Sequence, residues 1–216
     1  MGNVISVEEI TLYDLQQRFG LQQVDPQFFN ELFGDLPGLT EIEMQRLKRL
    51  QAIYANLATR SVFENTVKMA IVSPLLDLAG FYLPPFYIDT EEEVQIEAQE
   101  NGVMIRGRID VLVLKDQFWI LVIESKRAEF PLKTGIPQAL TYMLANPEPT
   151  QPLYGMVTNG SHFVFLKLMH DDVPRYARSQ EFRLEEENEL GQVLQVLKRL
   201  AGTIALNASL NYDGSN

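Results

Sequence analysis

Two apolar runs joined by three polar residues constrain this chain more than any other feature. Residues 103 to 114 (VMIRGRIDVLVL) and 118 to 124 (FWILVIE) are β-branched, aliphatic and aromatic, and Lys115-Asp116-Gln117 between them reads as a tight connection. An antiparallel hairpin is the expected outcome. Side chains alternate faces along a strand, so Glu124 and Lys126 point one way and Ser125 the other. A chain doubling back after Gln117 brings Asp110 opposite the 122 to 124 region, and on that register Asp110, Glu124 and Lys126 share one cluster.

Such a cluster has defined chemistry. Like-charged carboxylates at a sheet end repel each other unless a cation lies between them, and hard oxygen donors with open positions suit Mg²⁺ or Mn²⁺. A neighbouring ammonium holds or polarises a metal-bound water and offsets charge on a phosphate, which is the minimum equipment for metal-assisted cleavage of a phosphodiester. The same residues also read as ordinary polar groups where strands emerge into solvent, with Lys126 as a surface ion-pair partner worth little.

Asp110, the Glu124-Ser125-Lys126 triplet and Gln138-Ala139-Leu140-Thr141-Tyr142 together resemble the PD-(D/E)XK nuclease superfamily in its Asp, Glu-x-Lys, Gln-x-x-x-Tyr form. They look most like the amino-terminal nuclease domain of type I restriction enzyme motor subunits and its free-standing relatives. The resemblance runs from about Ser61 to about Leu168 and includes Tyr154-Gly155-Met156-Val157-Thr158-Asn159-Gly160. It implies that Asp110 and Glu124 are metal ligands, that Lys126 is the catalytic base or water orienter, and that Gln138 and Tyr142 are accessory catalytic residues near the nucleic acid. One departure is Gly107-Arg108-Ile109, standing where the superfamily name places a proline before the aspartate.

A further acid enters through Ser61-Val62-Phe63-Glu64. Phe63, Val67, Ala70 and Ile71 recur at helical spacing with Glu64 close to the same stripe. The resemblance implies that Glu64 joins the metal shell from the first core helix. The competing reading makes Ser61 the cap and Glu64 the third helical residue of a capping box, favoured by the helix dipole. A carboxylate tied into a capping box is poorly placed to reach a metal.

Composition removes other chemistries. Cysteine is absent, which excludes disulfides, thiol catalysis and zinc–thiolate sites, and two histidines, His162 and His170, are too few for an imidazole-rich centre. No stretch approaches the length of a membrane span and Met1 to Ser6 lacks a secretion-signal pattern, so the expected location is the cytoplasm, with no membrane partner.

Charge argues against indiscriminate binding of a polyanion, since 29 acidic against 18 basic side chains leave a formal −11. Its distribution moderates that conclusion. Acids crowd 91 to 100 and 185 to 189, while Arg106, Arg108, Lys126, Arg127 and Lys133 gather near the candidate site. Arg106, Arg108 and Arg127 are therefore candidate nucleic-acid contacts, or equally structural partners of nearby carboxylates.

Along the rest of the chain, Ser6-Val7-Glu8-Glu9 opens a short helix through Gln17 with Gly20 as its stop, Asp25-Pro26 starts another turn through Phe33, and 41 to 58 form an amphipathic helix. The helix holding Glu64 passes Ser73-Pro74 only with a kink and ends at Gly80. Strands are expected over 87 to 99, with an Asn101-Gly102 hairpin turn, and over 153 to 158 and 162 to 168; helices are expected from Thr134 to Met143 and around Leu190 to Leu200.

The fold class is thus α/β: a restriction-endonuclease-like mixed sheet of about five strands flanked by helices, with an N-terminal helical extension. Residues 1–40 form the accessory extension, 41–206 the nuclease-like domain and 207–216 a flexible tail. Divalent-metal-dependent hydrolysis of nucleic acid, DNA before RNA, is the first functional expectation, with Mg²⁺ or Mn²⁺ as cofactor. A catalytically silent nuclease-like module for nucleic-acid binding or assembly is the second, and a small-molecule hydrolase a distant third, since neither a nucleophilic serine motif nor a phosphate-cradling glycine loop is present. A homodimer or a restriction or helicase subunit is the expected protein partner.

Overall fold

The hairpin implied by the two apolar runs is the spine of the sheet. In the computed structural model, which describes residues 4–97, 103–116, 118–149, 151–170 and 172–212, Val111, Leu112 and Val113 lie opposite Ile123, Val122 and Leu121. In chain order the elements are β1 (Val4–Ser6), α1 (Leu12–Phe19), β2 (Gln22–Gln23), α2 (Asn30–Phe33), α3 (Glu41–Leu57), α4 (Glu64–Val67), α5 (Ser73–Ala79), β3 (Phe86–Glu97), β4 (Met104–Lys115) and β5 (Phe118–Ser125). There follow α6 (Ile136–Leu144), β6 (Leu153–Thr158), β7 (His162–His170), β8 (Pro174–Arg178), β9 (Phe182–Arg183) and α7 (Glu187–Tyr212). The Asn101-Gly102 turn lies outside the described residues.

The sheet is mixed and larger than the five strands expected: nine strands are present among the described residues, in the order β1-β4-β5-β6-β7-β8-β2, with β3 on β4 and β9 on β7. Strand β5 pairs in parallel with β6, as a crossover through α6 requires, whereas β3–β4, β4–β5, β6–β7 and β7–β8 are antiparallel. The additional strands β1, β2, β8 and β9 span two to five residues, too short for a period of two to register in the sequence.

The amino-terminal segment is therefore not helical throughout. Strand β1 joins β4 in parallel and β2 joins β8 in parallel, so residues expected as an accessory helical layer contribute two strands to the sheet. Ser6 caps only a 3₁₀ turn over Val7–Glu9; the helix starts at Leu12, where Thr11 and Asp14 form a reciprocal capping box, and stops at Gly20, whose φ of 65° favours glycine. Helix α7 runs from Glu187 to Tyr212.

Alternating apolar residues divide between two cores, one on each face. Val111, Val113, Leu121, Ile123, Met156, Phe163 and Phe165 pack with α3, α5 and α7; Leu112, Val122, Val157, Val164 and Leu166 pack with α1 and α6. The layering is helix, sheet, helix. Lys167, buried in β7, is neutralised by Glu31. No helix of the described residues is long and apolar enough to cross a membrane.

Helices α4 and α5 are joined without a break by a π turn, Lys68–Val72, in which the Ser73 amide donates to the Lys68 carbonyl. Pro74 has no amide hydrogen to give and its ring crowds the preceding turn. A π turn widens the helix just where those demands fall, at the place where the sequence predicts a kink.

Candidate functional site

Strand β4 does not keep one alternation along its length. Ile105 and Ile109 belong to the α6-side core, and so does Leu112, while Val111 and Val113 belong to the other. Inward parity therefore slips by one residue at Asp110. The ladder to β3 breaks at the same place: Thr90 pairs with Val111 and Glu92 with Ile109, leaving Glu91 and Asp110 unmatched, with Glu91 at a φ of 59°. Irregularities of this kind re-aim a side chain, and a left-handed non-glycine residue is held there by its surroundings.

The re-aimed carboxylate of Asp110 is fully engaged. Its Oδ2 accepts from the Ser125 amide at 2.7 Å and the Ser125 hydroxyl at 2.8 Å, and its Oδ1 accepts from Lys68 Nζ at 3.1 Å. Lys68 also donates to Glu91 Oε1 at 2.6 Å. Burial acts to lower the Lys68 pKa, but its bonds to Glu91 and Asp110 outweigh that and leave it raised, so the ammonium is firmly charged. Outside this pair, Arg108 reaches Glu93 at 3.0 Å and Glu91 at 3.8 Å. Ser125, expected to point away from the site, is thus a direct partner of Asp110.

Glu124 is in a different condition. It closes the apolar run of β5, stands beside Val157 of β6 and is only 4% exposed. Lys126 Nζ lies 2.6 Å from its Oε1, while Oε2 is buried with no hydrogen-bond partner. Burial above all, then the charge of Asp110, pushes its pKa up to about 8 against the opposing pull of Lys126; Glu64 adds a smaller repulsion. Gln138 of α6 is also buried, with its Oε1 unpartnered, and Tyr142, one turn on, has its phenol pKa raised by burial and by Glu124. Gly135 lets α6 start this close: a Cβ there would stand 2.7 Å from Val157 Cγ1 and 3.4 Å from Glu124 Cγ and Lys126 Cε.

One cleft of about 580 Å³ is lined by Glu64, Arg106, Arg108, Asp110, Glu124, Lys126, Gln138 and Tyr142 together with Glu8, Glu91 and Glu93. Eight of the nine expected site residues therefore share one space. The ninth, Arg127, does not line it; its guanidinium lies over the exposed Phe63 ring at 4.8 Å and its Nε is 3.6 Å from Glu129. Phe63, expected on the packing stripe, instead caps α4 from outside with no side-chain hydrogen bond, which places Glu64 at the first helical position. The Ser61–Glu64 capping box does not form, so the Glu64 carboxylate is left to the cleft.

Lys68 and Glu91 were not singled out in the sequence. The signal available for Lys68 was its place four residues after Glu64 on the same helix; Glu91 lay within an acidic run that resembles solvated surface.

These donors do not fit a divalent cation as they are arranged. Among the described residues, no three histidine, cysteine, aspartate or glutamate side chains lie close enough to hold a metal ion. The Asp110 carboxylate is engaged by Ser125 and Lys68, while Glu124 and Glu64 line the same cleft.

No protein-family model matches the chain, and no curated protein matches it. Among solved structures, the chain is similar to a fragment assigned as an HsdR subunit of a type I restriction enzyme from Vibrio vulnificus YJ016, with a TM-score of 0.40 and 20% identity over 62% of this chain. The match spans 25% of that fragment.

Proposed function

We propose that this chain is a nuclease-like module that holds a nucleic-acid strand in the cleft without cutting it through the resident side chains alone. The observation that carries this reading is the state of Asp110: both of its oxygens already accept hydrogen bonds, in a cleft that also presents Arg106, Arg108 and Lys126. Binding is weak and electrostatically selective, because the same cleft is lined by Glu8, Glu64, Glu91, Glu93, Asp110 and Glu124. A polyanion gains from the three basic groups only where its phosphates avoid those acids, and such binding falls steeply with salt. Any translocation or site recognition belongs to a second copy or a restriction or helicase partner.

Metal-dependent phosphodiester hydrolysis is the second reading, favoured by one specific observation. Glu124 Oε2 and Gln138 Oε1 are buried acceptors without donors in the cleft. Leaving such atoms unpaired costs about 1–3 kcal/mol each, and a bound cation or donor relieves the cost.

Fluorescence anisotropy with labelled single- and double-stranded DNA at low salt, run alongside gel assays of linear, supercoiled and single-stranded DNA in Mg²⁺ or Mn²⁺, separates the two. Saturable binding that weakens in Arg106→Ala and Arg108→Ala, with the DNA left intact, supports the module. Metal-dependent cleavage lost in both Asp110→Ala and Lys126→Ala establishes the second reading, and absence of any DNA binding defeats the first.

A further inference from the structure

We infer, resting on the nucleic-acid reading above, that Phe63 and Arg127 form a stacking platform for an unpaired nucleobase at the margin of the cleft, which makes a single strand its preferred ligand. The Arg127 guanidinium lies over the Phe63 ring at 4.8 Å, yet Phe63 stays 57% exposed, so a planar group still has access to the pair. Arg127 is not drawn off by Glu129, whose Oε2 is 3.6 Å from Nε, beyond hydrogen-bond reach.

Both members of the pair adjoin the cleft along the chain. Phe63 precedes Glu64 and Arg127 follows Lys126, and Glu64 and Lys126 line the cleft. One residue is about 3.8 Å of chain, so a strand whose phosphates meet Lys126 and Arg108 passes within reach of the platform.

Scattered exposed apolar side chains are ordinary, and a solitary ring would carry nothing. Here the backbone on either side is held in place. The Ala128 amide donates to the Val62 carbonyl at 3.2 Å, joining the residues next to Arg127 and Phe63. Buried Asn159 donates through Nδ2 to the Phe130 carbonyl at 3.0 Å and the Ala128 carbonyl at 3.4 Å. A surface already ordered in this way loses little freedom when a ligand stacks on it. Phe130, 46% exposed, offers a second ring on the same loop. Stacking also suits the charge of the chain: with a formal −11, affinity drawn from bases does not depend on gripping phosphates, and every base has a π face to offer.

The test separates bases from phosphates. Fluorescence anisotropy at one fixed low salt concentration compares the full chain's affinity for a labelled thymidine oligonucleotide with that for an abasic oligonucleotide of equal length. The parent chain is expected to bind the thymidine strand at least about tenfold more tightly. Phe63→Leu keeps an apolar side chain without a ring and is expected to bring the two affinities within about twofold, whereas Phe63→Tyr keeps the gap. Arg127→Gln narrows the gap by a smaller factor and gives the comparison should the leucine variant fail to fold. Equal affinity of the parent chain for both strands overturns the inference and leaves cleft binding in place, as does a gap that survives Phe63→Leu. Self-association that Phe63→Leu abolishes, in a chain showing no base-dependent gap, assigns the ring to a contact between copies and overturns it too. No binding of either oligonucleotide defeats the functional reading itself, and this inference with it.

Discussion

The two walls of the cleft satisfy their charges in opposite ways. On the β3–β4 wall, Asp110, Glu91, Glu93, Lys68 and Arg108 form a connected set of ion pairs in which every carboxylate has a basic partner. On the β5–α6 wall, Glu124 has one basic partner and one bare oxygen, and Gln138 beside it has a bare oxygen too. The first wall is partly open to water, where long side chains find partners at little cost. The second is sealed by the sheet, where an unpaired acceptor remains a standing penalty. The accessible wall thus saturates its charges within the protein, whereas the sealed wall leaves Glu124 Oε2 and Gln138 Oε1 without protein donors.

The largest effect is expected where the walls meet. A Cβ on Gly107 would stand 2.6 Å from Val7 Cγ1 and 2.7 Å from Tyr142 Cε1, so Gly107→Val is expected to cost about 3 kcal/mol by overpacking, visible as a lower midpoint in urea unfolding. An unchanged midpoint would mean that the walls are not coupled there.

The sealed wall has a distinct pH signature. Glu124 has its pKa raised in the fold from 4.5 to about 8, so between those values the unfolded chain has lost a proton that the folded chain keeps. The unfolded state then binds fewer protons, and stability falls as pH rises from about 4.5 to about 8. Glu124→Gln is expected to flatten that part of a Tm-against-pH curve; a curve identical to that of the parent chain would remove the contrast between the walls.

On the paired wall, Asp110→Asn keeps the shape but takes one negative partner from Lys68, and a loss of about 2 kcal/mol is expected for a charged hydrogen bond with both side chains mostly covered. Thermal unfolding of single and double variants with Lys68→Met measures the coupling, and additive losses would show that the bridge is incidental. The smallest effect belongs to Arg108→Ala. Its side chain is 55% exposed, so stability is expected to change by no more than about 0.5 kcal/mol while DNA affinity drops. A stability loss with unchanged DNA binding would reassign Arg108 to structure.

Most of what composes the cleft could be read from residue order. The hairpin, the crossover helix with Gln138 and Tyr142 one turn apart, and the placement of Glu124 at the end of an apolar strand all depend on periodicity and short connections, which are local properties. The orientation of Asp110 could not be read in that way. Strict alternation puts it with Glu124 and excludes Ser125, whereas a one-residue slip in parity adds Ser125 to its partners while Glu124 stays in the same cleft. That slip depends on Glu91 across the ladder and on Lys68 from a helix, neither of which is local to Asp110. The edge strands were hidden for a simpler reason: three residues at Val4–Ser6 and two at Gln22–Gln23 have no period to detect, and their pairing is decided by available sheet edges.

The absence of a side chain at Gly107 has a mechanical consequence. Val7 follows directly after β1, and it shares the surface of that glycine with Tyr142, which borders Glu124 and Gln138 on α6. Residues 4 to 7 therefore act as a wedge behind the sealed wall. Pulling that wedge from the edge of β4, by a tether, a partner or a competing strand, would slacken the support of Tyr142 and be sensed by a buried carboxylate that the pulling force never touches.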